Sequence, residues 1–193
     1  MYKIARSQEE EKYFQQLWGE YCDENNIPFI DNCKHASRYL LLDQEGTKMG
    51  TLECAPYNPE QGSNTEHFYS FSSSKEMESI RHKNIHEIGK LSIERSHRGQ
   101  GYFRYAMAVL LGHAMKHKVD WYVAVANFRL YLFARTMGFQ VEAIDDSFYL
   151  NGKIKAVPIL LDVNHAIEHM KTFKEYGHLV ETLKKTRKKQ VHV

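Results

Sequence analysis

The chain has 193 residues, 42% hydrophobic and 26% charged, with a formal charge of +2. That length suits one domain with a proper core, and the balance excludes a disordered or fibrous class. No apolar run approaches the roughly 20 residues of a membrane span, and the start MYKIARSQEEEKYF turns acidic too early for a secretory signal. Cys22, Cys33 and Cys54 include no CxxC pair, so neither a disulfide framework nor a zinc site is expected, and a cytoplasmic protein is.

In chain order, Tyr2 to Arg6 predict a short strand. Ser7 and Glu10 spell a capping box that opens a helix, with Tyr13, Phe14, Leu17, Trp18 and Tyr21 on one face. That aromatic stripe reads as core, with the floor of a pocket as the alternative. SRYLLLDQ and MGTLECA, joined through Glu45-Gly46, predict an antiparallel hairpin in which Cys54 is a small buried residue. PYNPEQGSNT reads as loop.

The stretch IHEIGKLSIE begins at Ile85 and has a phase fault. Leu91 and Ile93 alternate, but Ile88 is out of step with them. All three face inward only if the strand slips by one residue, which predicts a β-bulge at Gly89-Lys90. Phe103, Ala106, Met107, Leu110, Leu111 and Ala114 then fall at helical spacing. WYVAVA predicts a strand at the sheet centre, and NFRLYLFARTMGF a second helix closed by Gly138. FYL-NGK-IKAVPILL predicts a hairpin with an Asn-Gly turn. Asn164 is expected to cap a long C-terminal helix running into the basic run KKTRKK. The expectation is one mixed α/β domain over residues 1–180, with a basic tail at 181–193. The tail reads as a solvated helix end, and nucleic acid is not expected as a partner.

Between the bulged strand and the first long internal helix lies RSHRGQGYFRYAM. A helix start presents free N–H groups and the positive end of its dipole, and glycines let an anion approach. Arg98, Gly99, Gln100, Gly101, Tyr102 and Phe103 therefore read as a pyrophosphate cradle, with a plain glycine turn as the alternative. The segment lacks the GKS or GKT of a P-loop and the third glycine of a dinucleotide fingerprint.

These residues resemble the GNAT superfamily of CoA-dependent N-acyltransferases. Its signature is Gln or Arg, two residues, Gly, one residue, then Gly or Ala, after a bulged strand and before a helix. Arg98 to Phe103 match it, with Phe103 in place of the final small residue. Asn127 and the Gly138-Phe139 pair reproduce a second block. HEIGKLSIERSHRGQG is similar, more narrowly, to the Glu-x-x-Arg strand of autoinducer synthases and N-acyl amino acid synthases, with Glu87 matching and Lys90 replacing the arginine.

The resemblance implies a GNAT fold, its central strands splayed at the bulge. It implies direct attack of an amine on acetyl-CoA, a longer acyl-CoA or an acyl carrier protein thioester, without a metal. Glu87 would be the base, directly or through water, with His86 as rival. Backbone N–H groups near Leu91 or Ile93 would meet the oxyanion, and Asn127 would adjoin the cofactor. The acceptor would be a small-molecule amine or amino acid, and a homodimer is compatible with the family. Many members protonate the leaving thiolate with a tyrosine four residues before the Gly-Phe glycine; here Ala134 stands there, and Tyr131 lies three residues earlier. That substitution favours longer acyl groups, and leaves a non-catalytic acyl-CoA-binding module as the alternative function. HxxEH at His165 to His169, and His113 with His117, have metal-like spacing without a further ligand, and read as incidental.

Overall fold

The computed structural model of the chain describes residues 2–33 and 35–172, the side chain of Arg104 excepted. The basic tail falls outside these residues. β1 (Tyr2–Ile4) leads into α1 (Gln8–Asn25). Ser7 Oγ accepts from the Glu10 N–H at 3.2 Å and the Glu10 carboxylate accepts from the Ser7 N–H at 3.1 Å, so the expected capping box forms. β2 (Ser37–Leu42) and β3 (Lys48–Pro56) make the expected hairpin.

The connection after β3 is more structured than its composition predicts. It holds 3₁₀ turns at Pro59–Gln61, Asn64–His67 and Phe71–Ser73, then the short α2 (Lys75–Ile80) capped by Ser74. Met77 and Ile80 bury against Phe71, which is what fixes this segment.

β4 (Ile85–Ile93), α3 (Phe103–His117), β5 (Trp121–Asn127) and α4 (Phe128–Thr136) follow in the order read from the sequence. Gly138 stands at φ +87 just beyond α4, and a Cβ there would lie 2.5 Å from the His169 ring, so both conformation and space require glycine. β6 (Val141–Ala143) is an additional short strand. β7 (Phe148–Leu150) and β8 (Ile154–Asp162) turn through Asn151 and Gly152, both at positive φ, as the Asn-Gly signal implies. Asp162, not Asn164, caps α5 (Val163–Met170), accepting from the His165 N–H at 3.0 Å. β8 stays paired to β5 as far as Asp162, so the helix starts two residues earlier than expected and Asn164 is left exposed in its first turn.

The sheet order is β1-β2-β3-β4-β5-β8-β6, with β7 also on β8. Every pairing is antiparallel except β4–β5, which is parallel and spans only Ile85, His86 and Glu87 against Trp121, Tyr122 and Val123. Beyond Glu87 the two strands part. The bulge lies just where they do. Glu53 pairs with Gly89 and Thr51 with Ser92, so Lys90 and Leu91 together face the single residue Leu52. The expected Gly89-Lys90 slip is thus one residue further on, with Lys90 taking the left-handed φ of +51. The phase argument holds, because Ile88, Leu91 and Ile93 all pack on the main core. α3, α4 and α5 contribute to that core, while α1, α2 and the 3₁₀ turns serve the opposite face of the sheet.

Candidate active site

The parting of β4 and β5 opens a cavity of about 210 Å³, room for a ligand rather than a lone water. Ile88 to Leu91 form one wall and Ala124 to Asn127 the other. On the α1 side it is bordered by Trp18, Tyr21, Pro28, Asn64, Thr65 and Phe68. On the α3 and α4 side it passes Phe103 and Leu130 and continues between Met107, Leu110, Ala134, Val141, Ile159 and Leu161. Tyr131 also borders it on this side, its hydroxyl accepting from Arg135 Nη1 at 2.9 Å, and the other side chains named here are apolar. The aromatic stripe of α1 divides between its two readings: Phe14 is buried with Ala5 and Leu40, whereas Trp18 and Tyr21 border the cavity.

The glycine segment stands beside this split, before α3. Gly99 and Gly101 have φ of +79 and +81, and a Cβ on either would meet nothing within 4 Å. Glycine is therefore required by conformation, and the side it leaves bare is open space. Tyr102 occupies the N-cap of α3 without a side-chain cap bond, which suits an anion at that helix start. Gln100 Nε2 donates to the Ser96 carbonyl at 3.0 Å. The Arg98 guanidinium is not free. Its two Nη atoms lie 2.9 Å from the two carboxylate oxygens of Glu24, and its Nε donates to the Ile93 carbonyl at 2.8 Å. Arg98 thus ties the loop to α1, and the main chain is left to meet a phosphate. Ile93 contributes that carbonyl, while Leu91 reaches the cavity itself. Asn127 borders the cavity and also caps α4, its side chain accepting from the Arg129 N–H at 2.9 Å.

Glu87 is buried on the α1 side, beneath Asn64 and Thr65. It accepts from the Asn64 N–H at 3.1 Å, the Thr65 N–H at 3.0 Å, the Thr65 hydroxyl at 2.7 Å and the Cys33 thiol. Burial, then the adjoining Glu87 carboxylate, pushes the Cys33 thiol up to about 12, so it is a proton donor here. Four donors occupy the carboxylate, and Glu87 is not among the residues bordering the cavity. A direct approach of substrate to Glu87 is therefore closed.

His86 points to the opposite face of the sheet. Its Nδ1 lies 3.1 Å from His113 Nε2, and His113 Nδ1 lies 2.7 Å from the Tyr39 hydroxyl. Burial holds His86 down at about 4 and His113 at about 3, so this chain is neutral at pH 7. His86 is absent from the cavity lining, which removes the geometric basis for the rival base. Among the described residues no His, Cys, Asp or Glu group is placed to hold a metal. His169 instead packs on Gly138, its Nε2 lying 2.6 Å from the Met137 carbonyl.

Lys90 makes the strongest polar feature beside the cavity. Its ammonium donates to Glu53 at 2.9 Å and to Asp31 at 2.5 Å, and Arg38 bonds Glu53, Asp31 and Glu11. Burial raises the Asp31 carboxyl, but Lys90 and Arg38 outweigh it and hold the group below its usual range. Asn64 joins the two carboxylates of the neighbouring strands, with Nδ2 on Glu53 and its N–H on Glu87. Asn64, Thr65, Glu53 and Asp31 escape a reading by motif. The signal available was chemical: Glu53 and Glu87 fall on buried strands, and buried carboxylates demand donors.

The sequence profile of the Acetyltransferase (GNAT) family matches residues 2–139, and the chain belongs to that family. Among solved structures it is similar to FeeM, an N-acyl amino acid synthase from uncultured soil microbes, over 92% of this chain and 97% of that one, with a TM-score of 0.69 and 15% identity. MesI, a CoA-dependent acyl-homoserine lactone synthase, is similar over 86% and 87% of the two chains, with a TM-score of 0.61 and 18% identity. The acyl-homoserine lactone synthase LasI is similar over 85% and 90%, with a TM-score of 0.60 and 15% identity. At such identities the likeness is one of fold. No protein of curated function matches the chain in sequence.

Proposed function

We propose that the chain is an N-acyltransferase that moves a medium or long acyl group from a CoA thioester to a small amine by direct attack. The observation that carries this reading is the cavity between β4 and β5 and its extension along Met107, Leu110, Ala134, Val141, Ile159 and Leu161. An acetyl group needs no such space; an aliphatic chain is stabilised there by about 0.8 kcal/mol per buried methylene. Ala134 belongs to the same account. Its methyl borders the cavity where a tyrosine ring would fill it, so the space gained goes to the acyl chain.

The donor's pyrophosphate would lie on the main chain of Gly99 to Phe103, and its thioester at the bulge by Lys90 and Leu91. The interrupted strand ladder there leaves N–H groups suited to an oxyanion. The acceptor would enter from the α1 side, between Trp18, Tyr21 and Phe68. Asp31, Glu53, Glu87 and Glu11 outnumber Lys90 and Arg38 beside that chamber, which favours a ligand arriving as an ammonium ion. Since FeeM is an N-acyl amino acid synthase, amino acids are the first acceptors to test.

The test is thermal stability with CoA, acetyl-CoA, octanoyl-CoA and palmitoyl-CoA, followed by thiol release with amines present. Ligand at a hundred times its dissociation constant stabilises by about 2.7 kcal/mol, a shift of several degrees. The expected result is a larger shift with the longer donors and thiol release that rises with amine. Donor binding without amine-dependent release would instead identify an acyl-CoA-binding module. Binding of none of these donors, with release from an acyl carrier protein thioester, would move the donor assignment to the carrier.

A further inference from the structure

Glu87 does not border the cavity, yet of its two side-chain donors, Cys33 and Thr65, the second belongs to a residue that does. Thr65 borders the cavity beside Asn64, and its hydroxyl donates to Glu87 Oε2 at 2.7 Å. A hydroxyl has one hydrogen and two lone pairs. With the hydrogen committed to Glu87, what the Thr65 oxygen has left to offer is acceptor capacity. The Asn64 side chain offers no relay, because it bonds Asn32 and Glu53, and only the Asn64 main-chain N–H reaches Glu87. The Thr65 main chain adds a second bond to the same Oε2 at 3.0 Å, so the hydroxyl is held against the carboxylate by its own backbone.

From this arrangement we infer that Thr65 receives the acceptor amine and relays its proton to Glu87. The inference rests on the N-acyltransferase reading. The acceptor ammonium first sheds one proton to solvent. Its nitrogen lone pair then forms the N–C bond to the thioester carbonyl, and the C–S bond breaks with its electron pair leaving on sulfur. The remaining surplus proton on nitrogen passes to Thr65 Oγ1 as the threonine's own proton moves to Glu87 Oε2. Once the amide has left, the relay runs in reverse and Glu87 returns that proton through Thr65 to water in the cavity, from which the thiolate takes its own, so the enzyme is restored. Thr65 also orients the amine, since an N–H bonded to Oγ1 fixes the direction of the nitrogen lone pair.

The experiment compares Thr65→Val and Thr65→Ser with the wild-type chain in amine-dependent thiol release, with melting temperature and acyl-CoA affinity measured in parallel. Valine keeps the shape and the main-chain bond to Glu87 but has no hydroxyl; serine keeps the hydroxyl. The expected result is a kcat about 100-fold lower or less for valine. Its KM values should stay within about threefold and its donor affinity unchanged, with serine within about fivefold of wild type throughout. A valine variant with more than about a third of wild-type kcat, or a serine variant that falls as far as valine, would overturn the relay alone. Should valine fail to fold, Thr65→Ala takes its place on the same criteria. A wild-type chain that binds acyl-CoA and releases no thiol with any amine would overturn the acyltransferase reading, and the relay with it.

Discussion

Lys90 Nζ lies 2.9 Å from Glu53 Oε2, both side chains buried, on the one residue of β4 whose backbone is left-handed. The bulge and the ion pair thus share a residue. Removing the cation would leave the buried Glu53 with Arg38 as its remaining counter-ion, and breaking such a buried pair costs about 3–5 kcal/mol. Lys90→Met is expected to lower the urea midpoint accordingly, whereas Lys90→Arg, which keeps the charge, should lose less than half as much. Equal losses would show that the site needs the lysine stem and not its charge.

Ala134→Phe should shorten the cavity, because Ala134 borders it and a ring there takes up part of its space. Turnover of palmitoyl-CoA is expected to fall about 100-fold in kcat/KM, since the chain then bears the overpacking. Acetyl-CoA should be used as before. A uniform fall for both donors would place Ala134 at the thioester and not along the acyl path.

Gly101→Ala forces an L residue to φ +81, at about 1–2 kcal/mol of strain. Gly46, in the β2–β3 turn at φ +89 and also without a neighbour within 4 Å, provides a matched control. Both alanine variants should lose similar stability, measured by denaturant titration. Only Gly101→Ala should weaken CoA binding. Loss of affinity in both would mean that strain, not the loop, governs binding.

The buried His86–His113 pair makes stability depend on acid. Both pKa values are depressed in the folded chain, to about 4 and about 3, while an unfolded histidine titrates near ~6.5. Below that pH the unfolded state binds more protons, so stability is full above it and is lost as pH falls toward the folded values. At pH 5 each group costs on the order of 2 kcal/mol relative to pH 7. His113→Gln should flatten the fall in melting temperature between pH 7 and 5. An unchanged slope would place the acid sensitivity in other groups.

Much of the frame could be read from local chemistry. The Ser7–Glu10 box, the Asn151-Gly152 turn and the phase fault around Gly89 each follow from a few adjacent residues. α2 could not be read so, because six residues give too little periodicity, and its stability comes from packing on Phe71. Asp162 displaced Asn164 as a cap because the register of β8 on β5, a long-range fact, decides where the strand ends. The site divides the same way. The glycine loop announces itself by composition, whereas Thr65 lies in a polar loop that looks solvated until Glu53 and Glu87 draw it inward.

The brief β4–β5 pairing has a mechanical consequence. Three rungs join the strands β1 to β4 with the strands β5 to β8, and past them the main-chain groups of β4 and β5 that face each other have no strand partner. The sheet is therefore stiff within each half and compliant along one seam. A ligand lodged in the seam supplies the missing rungs and acts as a splint. Amide hydrogens of Ile88 to Ile93 and Ala124 to Asn127 should then slow their exchange together, and occupancy of the site would be felt as rigidity across the whole width of the sheet.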